Sequence, residues 1–304
     1  MRTVYLGTSS FAAEVLEHLA GGAHRPALVL TRPDRPQGRG RKLGSPPVAD
    51  VARALEIPLE QPANVNELDA REQIAAARPE AVIVCAFGAL VKDPLLSQHE
   101  LLNVHPSLLP RWRGAAPVER AIMAGDERTG VSIMRLTAGL DSGPVCLTGS
   151  LAIDPEDTYG SLAERLQSLG GRLLVQALDL IAAGAALEFV EQDESGVTYA
   201  EKIASEDRLL DPARSAQGLE RTVRALQPHI GARLARADGS LLGVHEARVA
   251  APGTVHAPPP AGSLAIDGGR LLYGTARGTL ELVRVQPPGG RPMDAGSYLR
   301  GHAL

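Results

Sequence analysis

The stretch LLNVHPSLLPRWRGAAP, from Leu101 to Pro117, sets an amide (Asn103), an imidazole (His105), a hydroxyl (Ser107) and two guanidiniums (Arg111 and Arg113) around a proline-stiffened bend. Asn103 and His105 stand two apart at the end of an apolar run that reads as a strand, so they project on one face. Downstream, TAGLDSGPV puts Asp141 in a glycine-flanked turn after the strand-like GVSIMRL, and a neighbouring strand end would bring its carboxylate beside the imidazole. A carboxylate next to a histidine favours the protonated ring and fixes its orientation, while an asparagine amide can donate to an oxyanion as it forms. Together the three groups suit attack on a carbonyl or formyl carbon, where negative charge appears on oxygen and a proton leaves the nucleophile. A serine hydrolase would need an elbow such as GxSxG. That motif is absent, and Ser107 lies inside the proline-bounded SLLP, which points to direct attack by a bound amine. Taken singly, each group also has a structural reading: Asn103 and Asp141 as turn formers, His105 as a satisfied, partly buried ring.

Positioning these residues requires a scaffold, and the first part of the chain supplies a pattern for one. TVYLGT, ALVLT and AVIVCAF alternate with the helical FAAEVLEHLA, PVADVARALE and ELDAREQIAAA. Continuous Val/Ile/Leu strands between helices predict an α/β fold, a mostly parallel sheet with helices on both faces and ligands at the carboxyl ends of its strands. LLNVHP, GVSIMRL and PVCLTGSLAI read as further strands, and the run starting DTYGSLAERL reads as a long helix with an Asp/Thr cap. After Gly184 the pattern loosens through EQDESGVTYAEKIASED, which reads as a linker. From about Arg208, a short helix (SAQGLERTVRAL) and brief strands separated by Gly and Pro turns predict a small antiparallel barrel.

The chain has 304 residues, 44% of them apolar, which is enough to bury a large core and predicts two domains. No apolar run approaches the roughly 18 residues that span a bilayer, and the start, MRTVYLGTSSFAAEVL, reads as a strand entering a helix; a cytoplasmic location with no membrane partner is expected. Cys85 and Cys146 lack CxxC spacing and read as core residues, and the eight histidines show no HxxxH pairing, so no metal is expected. The net charge of −4 hides a split, since residues 206–304 carry 12 Lys and Arg against 9 Asp and Glu. This mildly basic carboxy-terminal third is weakly consistent with a polyanion partner.

NVHPSLLPRWRGAAP with GLDSGPV downstream resembles the signature of the folate-dependent formyltransferases, and the similarity extends to LGTSSFAAEVL, TRPDRPQGRGRKLGSPPV, VIVCAFG, AGDERTGVSIM, VTYAEKI and RALQP. The resemblance implies a Rossmann-like catalytic domain over residues 1–189, a linker over 190–207 and a tRNA-binding barrel resembling an OB fold over 208–304. It implies transfer of a formyl group from 10-formyltetrahydrofolate to the amino group of methionine on initiator methionyl-tRNA, for translation initiation, by a monomer. In the roles it carries over, Asn103 binds the formyl oxygen, His105 donates near the same carbon, and Asp141 orients His105 and helps remove the amine proton. Ser107, Leu108, Leu109 and Pro110 match the folate-binding segment, and Phe87 and Gly88 wall the pterin pocket, although Phe87 also reads as ordinary core. Arg35, Arg39, Arg41 and Lys42, on a glycine-hinged stretch with the single carboxylate Asp34, answer to the tRNA-facing loop and could grip phosphate. Trp112, the only tryptophan, has two readings: stacking on a base or packing beneath its loop.

Two departures narrow what the resemblance implies. Pro106 follows His105, and HPSLLP also occurs in glycinamide ribonucleotide formyltransferases, so RWRGAAP, the basic loop and the second domain select the tRNA acceptor. Val91 and Lys92 differ from the apolar and proline residues usual at the pocket rim. The alternatives are a formyltransferase acting on an amino-sugar nucleotide and a non-catalytic RNA-binding protein, which would have lost one of Asn103, His105 or Asp141. A nicotinamide dehydrogenase is disfavoured because GTSSFA is not GxGxxG.

Overall fold

The computed structural model describes residues 1–37 and 42–302, with the side chains of Gln37 and Lys42 outside that description. Two compact units share the chain. The first comprises Met1–Gly114, Arg128–Leu151 and Ala163–Tyr199; the second comprises Ala115–Glu127, Ala152–Leu162 and Ala200–Leu304.

From the amino terminus, β1 (Thr3–Gly7) leads to α1 (Ser10–Ala20), β2 (Pro26–Leu30), the short β3 (Arg35–Gln37) and β4 (Lys42–Gly44), α2 (Pro47–Ala54) and β5 (Leu59–Glu60). Then come α3 (Leu68–Ala76), β6 (Ala81–Cys85), α4 (Leu95–Gln98), β7 (Leu101–His105) and β8 (Arg113–Gly114). The order continues through α5 (Pro117–Ala124), β9 (Arg128–Arg135), β10 (Val145–Ala152), the long α6 (Tyr159–Ala182), β11 (Tyr199–Ala200) and α7 (Ala216–Ala225). The remainder is β12 (Ala232–Ala235), β13 (Leu241–Val249), β14 (Leu264–Asp267), β15 (Arg270–Gly274), β16 (Thr279–Gln286), β17 (Met293–Asp294) and α8 (Ala295–Gly301).

The seven-stranded sheet of the first unit runs β10-β9-β7-β6-β1-β2-β5. The pairings β1–β2, β1–β6, β2–β5 and β6–β7 are parallel, and β9 lies antiparallel to β7. Every residue of β1, β6 and β7 is buried, as the unbroken Val/Ile/Leu runs require of strands covered on both faces. On one face Val4, Leu6, Val82 and Val84 pack with Ala70 and Ile74 of α3. From the other, the Tyr5 hydroxyl donates to the Ala12 carbonyl of α1 at 2.6 Å. The chain winds outward from β1 to β5 and then resumes at β6 on the opposite side of β1. That reversal makes the carboxyl ends of β1 and β6 the switch point of the sheet, the place where open α/β sheets bind their ligands, with β7 next in line. Helix α1 starts where Ser9 accepts from the Ala12 N–H, and Thr158 caps α6 by accepting from the Ser161 N–H. Burial pushes the thiols of Cys85 and Cys146 up, to about 12 and about 11, which leaves them poor nucleophiles.

The second unit carries the antiparallel sheet β12-β13-β16-β15-β14, with β17 on β16, as the Gly- and Pro-punctuated strands predict. No ladder joins β12 to β14 among the described residues. The inner face packs Leu234, Leu242, Val244, Leu280 and Leu282 against Leu219 and Val223 of α7 and Tyr298 of α8. Among the described residues no helix is long and apolar enough to cross a membrane.

Candidate active site

Asn103 and His105 occupy alternate positions at the carboxyl end of β7, held by the register Asn103↔Met134 and His105↔Ser132 to β9. They are 7% and 4% exposed, so each polar group needs a partner. Both find Asp141. Asn103 Nδ2 donates to Asp141 Oδ1 at 3.3 Å, and His105 Nδ1 lies 3.6 Å from Asp141 Oδ2. The other ring nitrogen, Nε2, stands 2.9 Å from the Trp112 carbonyl oxygen. With that carbonyl accepting from Nε2–H, Nδ1 is the ring nitrogen that faces the Asp141 carboxylate. The structure therefore unites the three residues that the sequence reading singled out.

Backbone strain marks this place. Asp141 has φ 44° and Trp112 φ 66°, the left-handed region that a bulky side chain avoids. At Trp112 the carbonyl accepts from His105, while its N–H donates to Thr198 Oγ1 at 2.9 Å. The Asp141 carboxylate also accepts the Gly114 N–H at 2.9 Å, so one oxygen meets the main chain and the other meets Asn103.

The bend between the two regions is braced internally. Ser107 is fully buried, and its hydroxyl donates to the Arg111 carbonyl at 2.6 Å. Ser132 of β9 donates to the Ser107 carbonyl at 2.8 Å and accepts the Leu109 N–H at 3.2 Å. The Ser107 side chain thus shapes the bend, while Leu108, Leu109 and Pro110 remain half-buried along it. The Trp112 ring lies under the Arg111 guanidinium, 4.4 Å from its centroid. After β6, Phe87 is buried and Gly88 exposed at φ 70°, with the Phe87 carbonyl accepting from Thr8 Oγ1 at 2.7 Å. Leu90 and Leu140 are large apolar residues left 64% and 61% exposed, one beyond the Phe87 turn and the other beside Asp141.

Sequence reasoning missed Gln192 and Ser132, and it placed Arg113 at the bend without finding its partners. Arg113 looks like one more cation in a basic bend, yet it is buried, with Nε donating to Gln192 Oε1 at 2.9 Å and a terminal nitrogen to Glu194 at 2.8 Å. Only the adjacency of Arg113 to the bend hinted at its place. Of the basic segment, Arg35 is exposed on β3, which pairs with β4 in the register Arg35↔Gly44. Lys42 begins β4, and Arg39 and Arg41 lie outside the described residues. At the stem of this segment Gln61 donates to Asp34 at 2.8 Å, and Ser45 donates to Asp34 at 3.2 Å. Among the described residues no cluster of three or more His, Cys, Asp or Glu could hold a metal ion.

A model of the formyl transferase domain matches residues 1–178, and one of the formyl transferase C-terminal domain matches residues 202–303. The chain is 42% identical over 306 residues to a methionyl-tRNA formyltransferase of Methylococcus capsulatus, covering 100% of this chain and 98% of that relative. Among solved structures it is similar to HypX from Aquifex aeolicus in complex with tetrahydrofolic acid, with a TM-score of 0.67 and 16% identity over 98% of this chain and 47% of that one. It thus spans about half the length of HypX. An N-formyltransferase from Helicobacter canadensis, in complex with folinic acid and dTDP-3-aminofucose, aligns with a TM-score of 0.66 and 14% identity over 92% of this chain and 98% of that one. At such identities both structures bear on the fold alone.

Proposed function

The chain belongs to the formyl transferase family, and from that premise we infer that it transfers the formyl group of 10-formyltetrahydrofolate to the amino group of methionine on initiator methionyl-tRNA, for translation initiation. The observation that carries this reading is the meeting of Asn103, His105 and Asp141 at the end of β7, in a chain aligned from end to end with relatives of that name.

The folate donor supplies an activated formyl carbon. An amide has two N–H donors, and Asn103 directs one to Asp141, which leaves the other for the formyl oxygen as negative charge develops there. His105, oriented by the Trp112 carbonyl, stands beside the same atoms as a proton carrier. Asp141 accepts the proton that the attacking amine loses, and His105 can pass a proton to the departing nitrogen of the donor. Leu108, Leu109 and Pro110, the Phe87–Gly88 turn and the exposed Leu90 and Leu140 suit an apolar ring system with polar edges. Ser107 holds that segment in shape. In this reading Arg35, Arg39, Arg41 and Lys42 grip tRNA phosphates, residues 208–304 add a second tRNA contact, and 190–207 connects that domain to a catalytic domain over 1–189. The enzyme works in the cytoplasm, as a monomer.

The test is formyl transfer from 10-formyltetrahydrofolate by the purified protein, offered charged initiator methionyl-tRNA and an amino-sugar nucleotide in separate reactions. Transfer to the tRNA alone is expected. Transfer to the sugar alone would retain the chemistry and refute the acceptor.

A further inference from the structure

Asp141 sits in the left-handed backbone region, at φ 44°, and the side chain that reacts there is only as well placed as the main chain beneath it. That main chain is held by a residue 51 positions away. Gln192 Nε2 donates to the carbonyls of both Asp141, at 2.8 Å, and Gly143, at 2.7 Å, while its Oε1 accepts from Arg113 Nε at 2.9 Å. The partners fix the amide's orientation, because a half-turn would set its oxygen against two carbonyls and its NH2 against a guanidinium.

The clamp is itself anchored. The Arg113 side chain is 4% exposed and also bonds Glu194, and Val190, two residues before Gln192, exchanges two main-chain bonds of 2.9 Å with Val145 at the start of β10. A glutamine alone meets this set of partners. Glutamate would match its length and pair with Arg113 but offer no donor to the two carbonyls, and asparagine is one methylene short.

Building on the formyl-transfer reading, we propose that Gln192 is a positioning residue for the reaction: braced by Arg113, its carboxamide fixes the main chain of residues 141–143 and thereby sets the Asp141 carboxylate against Asn103 and His105. Gln192 touches no reacting atom in this role. It acts through Asp141, which gives the proposal a signature that a merely structural residue lacks.

The experiment is a double-mutant cycle in steady-state formyl transfer, using wild type, Gln192→Ala, Gln192→Glu, Asp141→Asn and the double variant Gln192→Ala/Asp141→Asn. Both single Gln192 variants should lower kcat about 10- to 100-fold, the cost of misplacing a reacting group by about an ångström, with KM for donor and acceptor within about threefold. On the Asp141→Asn background, Gln192→Ala should cost less than about threefold, because the carboxylate it positions is already gone. The glutamate variant keeps the shape and the Arg113 contact, so its loss isolates the two N–H donors even if the alanine variant folds poorly. Equal losses on both backgrounds, a rise in KM at unchanged kcat, or wild-type turnover in the glutamate variant would overturn the proposal. The cycle is run on whichever acceptor the wild type formylates, so transfer to an amino-sugar nucleotide would refute the tRNA reading and still decide the role of Gln192.

Discussion

In the first unit β1, β6 and β7 are buried along their whole length, whereas in the second β12 and β13 alternate buried and more exposed residues. A sheet covered on both faces leaves its polar groups only the strand ends and the loops beyond them, where Asn103, His105 and Asp141 meet. A sheet with one open face spreads its charges instead. Arg248 pairs with Glu281 across β13 and β16, and Asp267 bonds both Arg270 and His256. The polar residues of the first scaffold gather beyond its strand ends, while the second pairs its charges across and along its strands.

Substitutions should separate the two regimes, and the largest effect belongs at the strand end. Asp141→Asn keeps size and shape but loses the proton acceptor, and should lower turnover about 10²- to 10⁴-fold with little change in folate affinity. Near-normal turnover would remove Asp141 from the chemistry. Next comes the covered sheet. Ile83→Ala, at a fully buried position of β6, should cost about 2–5 kcal/mol in urea unfolding, and a cost under about 1 kcal/mol would mean that the layers collapse around the gap. In the basic segment, Arg41→Ala should weaken tRNA binding and reduce its salt slope by about one, leaving folate binding alone. Equal weakening of both ligands would break that division of labour.

The second unit should respond more quietly. Hydrogen bonds from Arg120 are the main reason that the Asp207 carboxyl lies below the usual carboxylate range. The pair's contribution is present at neutral pH and lost as the solution is acidified through that lowered value. Arg120→Ala should therefore cost about 1 kcal/mol at pH 7 and progressively less under acid. A cost independent of pH would assign it to packing. Smallest of all, Arg248→Ala should stay within about 1 kcal/mol by thermal unfolding, because the exposed guanidinium is solvated when free and Arg270 also stands 3.9 Å from Glu281; a larger loss would show that the buried Glu281 carboxylate depends on Arg248.

Much of this was legible where the signal is local. Continuous Val/Ile/Leu runs disclose strands covered on both faces, and the spacing of Asn103 and His105 places them together without any tertiary knowledge. Asp141 was reachable because its turn follows the strand that pairs with β7. The braces were not legible. Polar EQDES reads as slack chain, yet Gln192 and Glu194 within it bond the carbonyls of a distant loop and a buried arginine, contacts that have no sequence period. For the same reason Arg113 reads only as a second guanidinium at the bend beside Arg111. Ser107 matches a ligand-binding segment by type, while its hydroxyl is spent on the Arg111 carbonyl, a choice made by the bend. Nor does RPQGRGRK alternate in a way that announces the short β3–β4 pairing.

Single-turnover formyl transfer by Asn103→Ala, alongside its affinity for a stable folate analogue, separates an amide that stabilises the charge developing on the formyl oxygen from one that merely holds the bend. Charge stabilisation by the Asn103 amide predicts a rate about 10²- to 10³-fold below wild type with folate affinity within about threefold. A rate close to wild type, or a loss confined to folate affinity, would contradict it.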